Sequence, residues 1–495
     1  MSGDSGWSRR SALAGAVALA AAPAIISARE FSIETPEGRY RGAATGAGAF
    51  CWKGIRYARA ERFQAPVAVA RAEQMPGNSF GPACPQRGEA YLPVSEDCLF
   101  LNVWAPAVAS NRPKPVMVYF HGGAYTTGSV TDPINDGAAL AEKGDVVVVT
   151  VNHRLNAFGY LYQPRRFPDS GNAGQLDLIA ALQWVQRNIV SFGGDRRNVT
   201  VFGQSGGGAK IATLMAMPEA EGLFHKAITM SGQQVTASGP INASKRTAAF
   251  LDKLAPGFDP ATAPVGALVE ALSATDPVLG GGVYMGPVLD MRHLLRHPFW
   301  PDAPPQSRGI PMLLGNTVAE TSAFYSPHSR QLTGLTFDNL AERIGPEMRI
   351  DIEPAWVVAR FRERYPQDDA PALFHRIVTA ARSWRGQIEE AEARARDGTH
   401  NTWVYQLDFE KAKHTDDIGL SFGTMPDPNP AQNLMSQSMM KTFVKFARTG
   451  DPGWAPYQLD RRTTMVFDSV SREVDNPRAW ERELFARVPY IQPGT

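Results

Sequence analysis

The sequence predicts an α/β fold in which helices flank a mostly parallel central sheet. Short, continuous apolar runs recur along the chain, and runs without polar alternation are typical of strands buried on both faces of a parallel sheet. The runs are VMVYF from Val116, VVVVTV from Val146, VTVF from Val199, AITM from Ala227, MLL from Met312 and WVYQL from Trp403. Helical periodicity lies between them, and this alternation indicates a doubly wound sheet.

Two segments have the pattern of long helices. In residues 174–192, leucine, valine and isoleucine recur on one helical face, and Gly193 follows as a stop. A second helix is predicted over residues 371–397. The Pro- and Gly-rich segment 276–309 is predicted to form connections that overlie the sheet. Ligands of such sheets bind beyond the carboxyl ends of the strands, so functional residues are expected there.

The charge balance argues against a polyanionic partner. The 495 residues contain 50 Lys and Arg against 49 Asp and Glu, a formal net charge of +1. No field of one sign therefore exists to attract nucleic acid or an anionic membrane over any distance. A small, roughly neutral molecule is the expected partner.

Residues 1–28 are predicted to form an export signal of the twin-arginine type. Arg9 and Arg10 precede an Ala- and Leu-rich stretch, and small residues end the segment at Ala28. The apolar stretch is shorter than the roughly 20 residues of a membrane span, so no transmembrane segment is expected in the mature chain. We expect an exported protein, periplasmic or secreted, with a retained N-terminal anchor as the alternative.

The strongest motif is GQSGG at 203–207, directly after the strand VTVF and before a helix-compatible stretch. A nucleophile at such a strand-to-helix turn has strained backbone geometry, and the neighbouring glycines let strand and helix approach closely. The motif predicts Ser205 as a nucleophile. A chance match is the alternative, which the flanking strand and helix argue against.

A second motif, HGGAY at 121–125, follows the strand VMVYF. Small residues there allow backbone N–H groups to turn toward an acyl oxygen, and a further N–H comes from the residue after the nucleophile. The predicted oxyanion hole is Gly123, Ala124 and Gly206. His121 is expected to be structural, and a glycine-rich turn without a catalytic role is the alternative.

The positions of the predicted strands indicate which histidine is the base and which carboxylate is the acid. His414 follows the strand WVYQL, at the catalytic end, whereas His400 precedes it. In α/β-hydrolases the acid lies between the serine and the histidine, and Glu320 follows the strand MLLG, while Asp290 follows no comparable strand. Glu320 as a solvated loop charge is the alternative. Phe324, four residues further on, is predicted to line the substrate pocket, with ordinary core packing as its alternative.

These residues predict a serine carboxylic-ester hydrolase that acts on a small-molecule ester through a covalent acyl-enzyme, with a Ser-His-Glu triad. No cofactor is expected, and no metal, because no cluster of His, Cys and carboxylates has metal-ligand spacing. Amides, carbamates and lactones would need the same apparatus, so these substrates stay open. A binding module without catalysis is the rival class.

Longer stretches around the motifs resemble a known family. They are FCWKGIRYA from Phe50, EDCLFLNV from Glu96, ALQWVQRNI from Ala181, FGGDRRNVTVFGQSGG from Phe192, HTDDIGLSFG from His414 and FARTGDP from Phe446. They are similar to the type-B carboxylesterase/lipase family, which includes bacterial para-nitrobenzyl esterases and, more distantly, cholinesterases. The resemblance implies one α/β-hydrolase domain over residues 29–495, with long insertions over the catalytic end, and the triad and oxyanion hole named above.

The resemblance also implies a disulfide between Cys84 and Cys98. The residues alone leave two buried thiols as the alternative, and Cys51 is expected to be a small buried hydrophobe. Two positions depart from the family pattern: Gln204 replaces the usual glutamate and Gly206 the usual alanine. The loop between the paired cysteines contains no tryptophan, so cholinesterase activity is not expected.

Overall fold

The computed structural model describes residues 31–490 except 47, 71, 76–77, 108–111 and 255. The predicted export signal over residues 1–28 therefore lies outside the described residues. The strands of the described part are β1 (Phe31–Thr35), β2 (Gly38–Ala44), β3 (Ala49–Arg56), β4 (Ala58–Arg59), β5 (Val67–Ala68), β6 (Ala72–Met75), β7 (Phe100–Pro106), β8 (Lys114–Phe120), β9 (Val147–Val151), β10 (Gly194–Gln204), β11 (Lys226–Met230), β12 (Met312–Thr317), β13 (Thr402–Leu407), β14 (Thr463–Phe467) and β15 (Arg472–Asp475).

One large sheet organises the molecule, in the order β1-β2-β3-β7-β9-β8-β10-β11-β12-β13-β14-β15, with β6 beside β2. The run from β9 to β14 is parallel. The pairs formed by β1, β2, β3, β7 and β15 along this order are antiparallel. All six apolar runs named above are strands of the parallel run, so the predicted α/β fold with a mostly parallel core is confirmed.

Helices pack against both faces of this sheet. They are α1 (Ala138–Gly144), α2 (Asn156–Tyr160), α3 (Ala173–Asn188), α4 (Gly206–Leu214), α5 (Pro240–Lys253), α6 (Val265–Ala271), α7 (Leu340–Ile344), α8 (Pro354–Arg364), α9 (Ala370–Val378), α10 (Arg385–Arg396), α11 (Asp416–Phe422), α12 (Pro430–Thr449) and α13 (Ala479–Phe485). A π-helical turn, Thr379–Trp384, joins α9 to α10. The two predicted long helices correspond to α3 and to this joined helix.

The sheet separates two hydrophobic cores because successive side chains of a strand point to opposite faces. Along β8, Val116 and Val118 belong to one core, whereas Met117 and Tyr119 belong to the other. A third, smaller core holds together α7, α8 and α9. Within the described residues, no helix is both long and apolar enough to span a bilayer.

Candidate active site

Ser205 occupies a sharp turn between β10 and α4. Its φ of 55° lies in the left-handed region, and its N–H donates a 2.7 Å hydrogen bond to the carbonyl of Met230. A Cβ on Gly203 would lie 2.7 Å from the carbonyl carbon of Gly207, and a Cβ on Gly207 would lie 2.0 Å from the carbonyl oxygen of Phe120. Only glycine fits these two positions without movement, because real Cβ atoms do not approach backbone so closely. The sequence GQSGG therefore holds the serine in strained geometry at a strand end.

Glu320 and His414 form a buried pair at the neighbouring strand ends. Glu320 follows β12 and His414 follows β13, and the imidazole Nδ1 lies 2.5 Å from the Glu320 Oε2. The other carboxylate oxygen accepts a 2.8 Å hydrogen bond from the N–H of Thr317 and another from the hydroxyl of Ser231. Glu320 is therefore not a solvated loop charge.

The environment of Glu320 favours its ionised form. Burial alone raises the pKa of this carboxyl, but the adjacent His414 and the donors Ser231 and Thr317 outweigh burial and lower it below the ordinary value. A carboxylate that stays charged fixes the proton of His414 on Nδ1 and leaves the other ring nitrogen free to accept one.

A cavity of about 140 Å³ opens beside the serine and the imidazole. Its wall includes Ala124, Ser205, Gly206, Phe324 and His414. The Phe324 ring packs against the imidazole with a centroid distance of 4.6 Å, and 41% of this residue is exposed. The structure therefore brings the predicted nucleophile, base and pocket residue together, with Phe324 on the wall of the cavity instead of inside the core.

The HGGAY loop follows β8 and contacts the start of α4. Gly123 and Ala124 have positive φ values of 80° and 53°, and the carbonyl of Gly123 accepts hydrogen bonds of 3.1 Å from Thr126 and Thr127. A Cβ on Gly206 would lie only 2.1 Å from the carbonyl oxygen of Ala124. The first N–H groups of a helix have no intrahelical acceptor, so the N–H of Gly206 remains available beside this loop. The three predicted donors thus belong to two segments in direct contact.

His121 has a structural environment. Its ring is buried, its Nδ1 lies 2.9 Å from the carbonyl oxygen of Gly122, and it stacks on His153 at 4.8 Å. Burial and the nearby charge of Lys210 lower the pKa of His121 to about 3. Lys210 is itself fully buried, donates a 2.9 Å hydrogen bond to the carbonyl of His121, and has a pKa lowered by burial to about 7.

Sequence reasoning missed several residues of the site. The motifs contain no signal for Ser231, which supports the carboxylate from the end of β11. Asp417 is buried three residues after His414 and accepts a 3.1 Å hydrogen bond from Tyr405, and burial with the charge of Glu320 raises its pKa to about 7. The sequence HTDD contains Asp417, but it does not show whether this aspartate is buried or is an ordinary exposed acid in the first turn of a helix.

The rejected candidates lie elsewhere. His400 precedes β13, at the opposite end of this strand from His414. Asp290 accepts hydrogen bonds from the backbone of its own loop. In the part of the chain that the structure describes, no group of three or more His, Cys, Asp or Glu residues could hold a metal ion.

The predicted disulfide is not formed in the structure. Cys84 and Cys98 are free, buried thiols, and a hydrogen bond from one to the other, together with burial, raises the pKa of Cys98. The structure thus corresponds to the alternative of two buried thiols, although it places them side by side. Cys51 is also free and buried, and burial raises its pKa. A disulfide after export stays a prediction.

Comparison with known proteins identifies the family of this chain and two of its relatives. The model of the Carboxylesterase family matches residues 29–476. The para-nitrobenzyl esterase of Bacillus subtilis (strain 168) is 32% identical, over 91% of this chain and 97% of the relative. A medium-chain fatty acyl-CoA hydrolase precursor from Anas platyrhynchos is 29% identical, over 83% of this chain and 79% of the relative.

Solved structures agree with these relatives. A PNB esterase superimposes with a TM-score of 0.79 at 32% identity, covering 92% of this chain and 99% of its own. A carboxylesterase of Geobacillus stearothermophilus gives 0.80 at 33% identity with the same coverage. Both share the large, mostly parallel sheet flanked by helices described above.

Proposed function

Because this chain belongs to the carboxylesterase family, we propose that it hydrolyses carboxylic esters of small molecules through a covalent acyl-enzyme. Ser205 is the nucleophile, His414 the general base and Glu320 the carboxylate that orients the base. The observation that carries this proposal is the buried Glu320–His414 pair, which meets the strained Ser205 turn at one cavity. Two of the relatives are a para-nitrobenzyl esterase and a carboxylesterase by name, which supports the same reaction class here.

The reaction proceeds in two halves. His414 takes the proton of Ser205 while the serine oxygen bonds to the ester carbonyl carbon, and the protonated imidazole then gives that proton to the departing alcohol oxygen. Water attacks the resulting acyl group with His414 again as base, and Ser205 regains its proton as the acid leaves. Glu320 stabilises the imidazolium that forms in both halves.

Gly123, Ala124 and Gly206 are the proposed oxyanion hole. Ala124 and Gly206 line the cavity beside Ser205, and Gly123 precedes Ala124 in the loop that contacts Gly206, which supports donation to the negative oxygen of a tetrahedral intermediate on Ser205. Each such donor contributes roughly 10²- to 10³-fold in kcat in serine hydrolases. The positive end of α4 adds to this stabilisation.

The test is the pair of variants Ser205→Ala and His414→Ala with 4-nitrophenyl butyrate as substrate. Each should lose several orders of magnitude in kcat, and the double variant should be hardly slower than either, because the groups act as a unit. Exposed Ser326→Ala and His328→Ala serve as matched controls that keep wild-type turnover. Additive losses, or a phosphonate ester that labels a serine other than Ser205, would refute the assignment.

We also propose that residues 1–28 direct export to the periplasm or the medium, on the strength of the Arg9–Arg10 pair and the apolar stretch behind it. The experiment is fractionation of cells that express the full chain or the variant with both arginines changed to lysine. Export of the wild type with retention of the variant is expected. An exported variant would exclude the twin-arginine route, and a cytoplasmic wild type would exclude export.

A further inference from the structure

The helix that runs from Ala370 to Arg396 changes its winding where it borders the cavity. Its central turn, Thr379–Trp384, is π-helical, whereas α9 and α10 on either side are regular. Single π turns within α-helices occur frequently at functional sites, where the extra residue moves a side chain out of the regular repeat. Arg382 and Ser383 of this turn line the same cavity as Ser205.

Arg382 is held in place by a hydroxyl group and by one carboxylate that also binds other donors. Its guanidinium donates a 3.1 Å hydrogen bond to the hydroxyl of Tyr325, and it lies 3.6 Å from the carboxylate of Glu347. That carboxylate already accepts hydrogen bonds from Tyr325 and from the amide of Gln331. The guanidinium also lies 5.4 Å from the ring centre of Phe324, the residue that packs against the catalytic imidazole.

A second guanidinium, that of Arg349, adds positive charge next to Arg382. Arg349 has a left-handed φ of 59°, and its buried Nε has no hydrogen-bond partner among the described residues. Burial and the neighbouring Arg382 lower the pKa of Arg349, so the two cations repel each other. Glu347 compensates only one of them.

The other acid near this end does not supply the missing charge. Glu390 is fully buried, accepts a 2.6 Å hydrogen bond from the N–H of Gln234, and has a pKa raised by burial to about 8. It is therefore mostly neutral at pH 7. Glu320 is matched by His414. Among the described residues, the two guanidiniums therefore share one ionised carboxylate, that of Glu347, and one positive charge at the cavity has no counterion.

We propose that this end of the cavity binds a carboxylate of the substrate, so that esters with a free carboxylate on their acyl or alcohol part are preferred over neutral ones. A guanidinium presents paired N–H donors that match a carboxylate in geometry as well as in charge. The inference rests on the proposed ester hydrolysis and adds a substrate class to it. Arg382 makes the contact, and Arg349 reinforces the field.

The experiment compares ester pairs that differ only in carboxylate against primary carboxamide. Monomethyl adipate against methyl 5-carbamoylpentanoate tests the acyl side, and 4-acetoxybutanoate against 4-acetoxybutanamide tests the alcohol side, with acid release followed in a pH-stat. In at least one pair we expect the carboxylate ester to have a roughly tenfold higher kcat/KM, as for one partly buried ion pair, and this ratio should shrink as salt is added. A ratio of one or less in both pairs overturns the proposal.

Arginine variants identify the cause of the preference. In Arg382→Gln the carboxylate-to-amide ratio should fall toward one, and in Arg349→Gln it should fall partway. Arg396→Gln, on the exposed end of the same helix, is the matched control and should keep the wild-type ratio. If Arg382→Gln slows both esters equally, or keeps the ratio, the residue is structural and the proposal fails. If that variant does not fold, Arg349→Gln and the salt dependence of the wild type decide the question.

The carboxylate preference and the proposed ester hydrolysis are tested by separate measurements. Hydrolysis of 4-nitrophenyl butyrate and phosphonate labelling of Ser205 report on the triad alone. An enzyme that passes both tests but shows no preference for carboxylate esters would retain the ester hydrolysis and lose only the substrate class.

Discussion

Replacing Lys210 by methionine should change how the stability of the protein depends on pH. Lys210 is fully buried beneath the oxyanion loop, and burial lowers its pKa from 10.5 to about 7. Between these two values the unfolded chain holds a proton that the folded protein has released, so the free energy of unfolding rises with pH across this window. Below about pH 7 both states are protonated, and the cost of burying the ammonium is fully present.

The magnitude follows from the two pKa values. Each pH unit in this window contributes about 1.4 kcal/mol. The free energy of unfolding of the wild type should therefore rise by about 3 kcal/mol relative to that of Lys210→Met between pH 7 and pH 10. Urea unfolding of both proteins, followed by tryptophan fluorescence, measures the difference, and other titrating groups cancel because the two proteins share them. The conservative variant Lys210→Arg controls for the loss of the hydrogen bond to His121.

A difference in stability that stays constant from pH 7 to pH 10 would refute the reasoning. It would mean that Lys210 keeps an ordinary pKa in the folded protein, with solvent reaching it beneath the oxyanion loop. We expect the stability of Lys210→Met relative to the wild type to increase toward low pH, because the methionine variant buries no ammonium group there.

Three further outcomes are expected. Ser231→Ala removes a donor from the Glu320 carboxylate, so kcat/KM should fall roughly tenfold, and more at pH 5 than at pH 8, because the carboxyl becomes easier to protonate; a loss that does not vary over that range would contradict this. Esters of tertiary alcohols should be slow but real substrates, since the HGGAY loop donates from its backbone and leaves space beside the alcohol carbon; undetectable hydrolysis of tert-butyl acetate by enzyme active on short 4-nitrophenyl esters would count against it. Peptide mass spectrometry of exported, non-reduced protein should find Cys84 joined to Cys98, and a bridge that contains Cys51 would show the pairing to be wrong.

The parallel half of the sheet could be predicted from sequence because its strands are buried on both faces. Runs such as VMVYF and VVVVTV have no charged residue and no alternation of polar with apolar positions, so they differ clearly from amphipathic helices. The antiparallel edge formed by β1, β2 and β3 was not predicted. β3 mixes buried and partly exposed positions irregularly, and although β2 alternates, glycines occupy two of its three buried positions and give no hydrophobic signal.

The residues of the site also fall into two groups, those that could be identified from the sequence and those that could not. Ser205, Glu320 and His414 could be identified from the sequence because each lies in the segment that follows a recognisable strand, and the carboxyl ends of parallel strands lie at one edge of the sheet. Lys210 was not, because a lysine in GGGAKIATL has the same sequence signature whether it faces solvent or the interior. Arg382 could not be identified from the sequence either, since the apolar periodicity of a helix does not reveal a π-helical turn. Net charge indicated a neutral partner, and a total over the whole chain contains no information about the local pairing of Arg349 with Arg382.

The close packing of glycines around the nucleophile has a practical consequence for laboratory evolution. A methyl group at Gly203, Gly207 or Gly232 would meet backbone atoms at 2.7, 2.0 and 2.0 Å, respectively, so random substitution there mainly yields inactive or misfolded clones. Phe324, by contrast, is two-fifths exposed and contributes to the cavity wall through its side chain. Libraries meant to broaden the ester range should therefore leave the three glycines fixed and concentrate their diversity on Phe324 and the residues beside it.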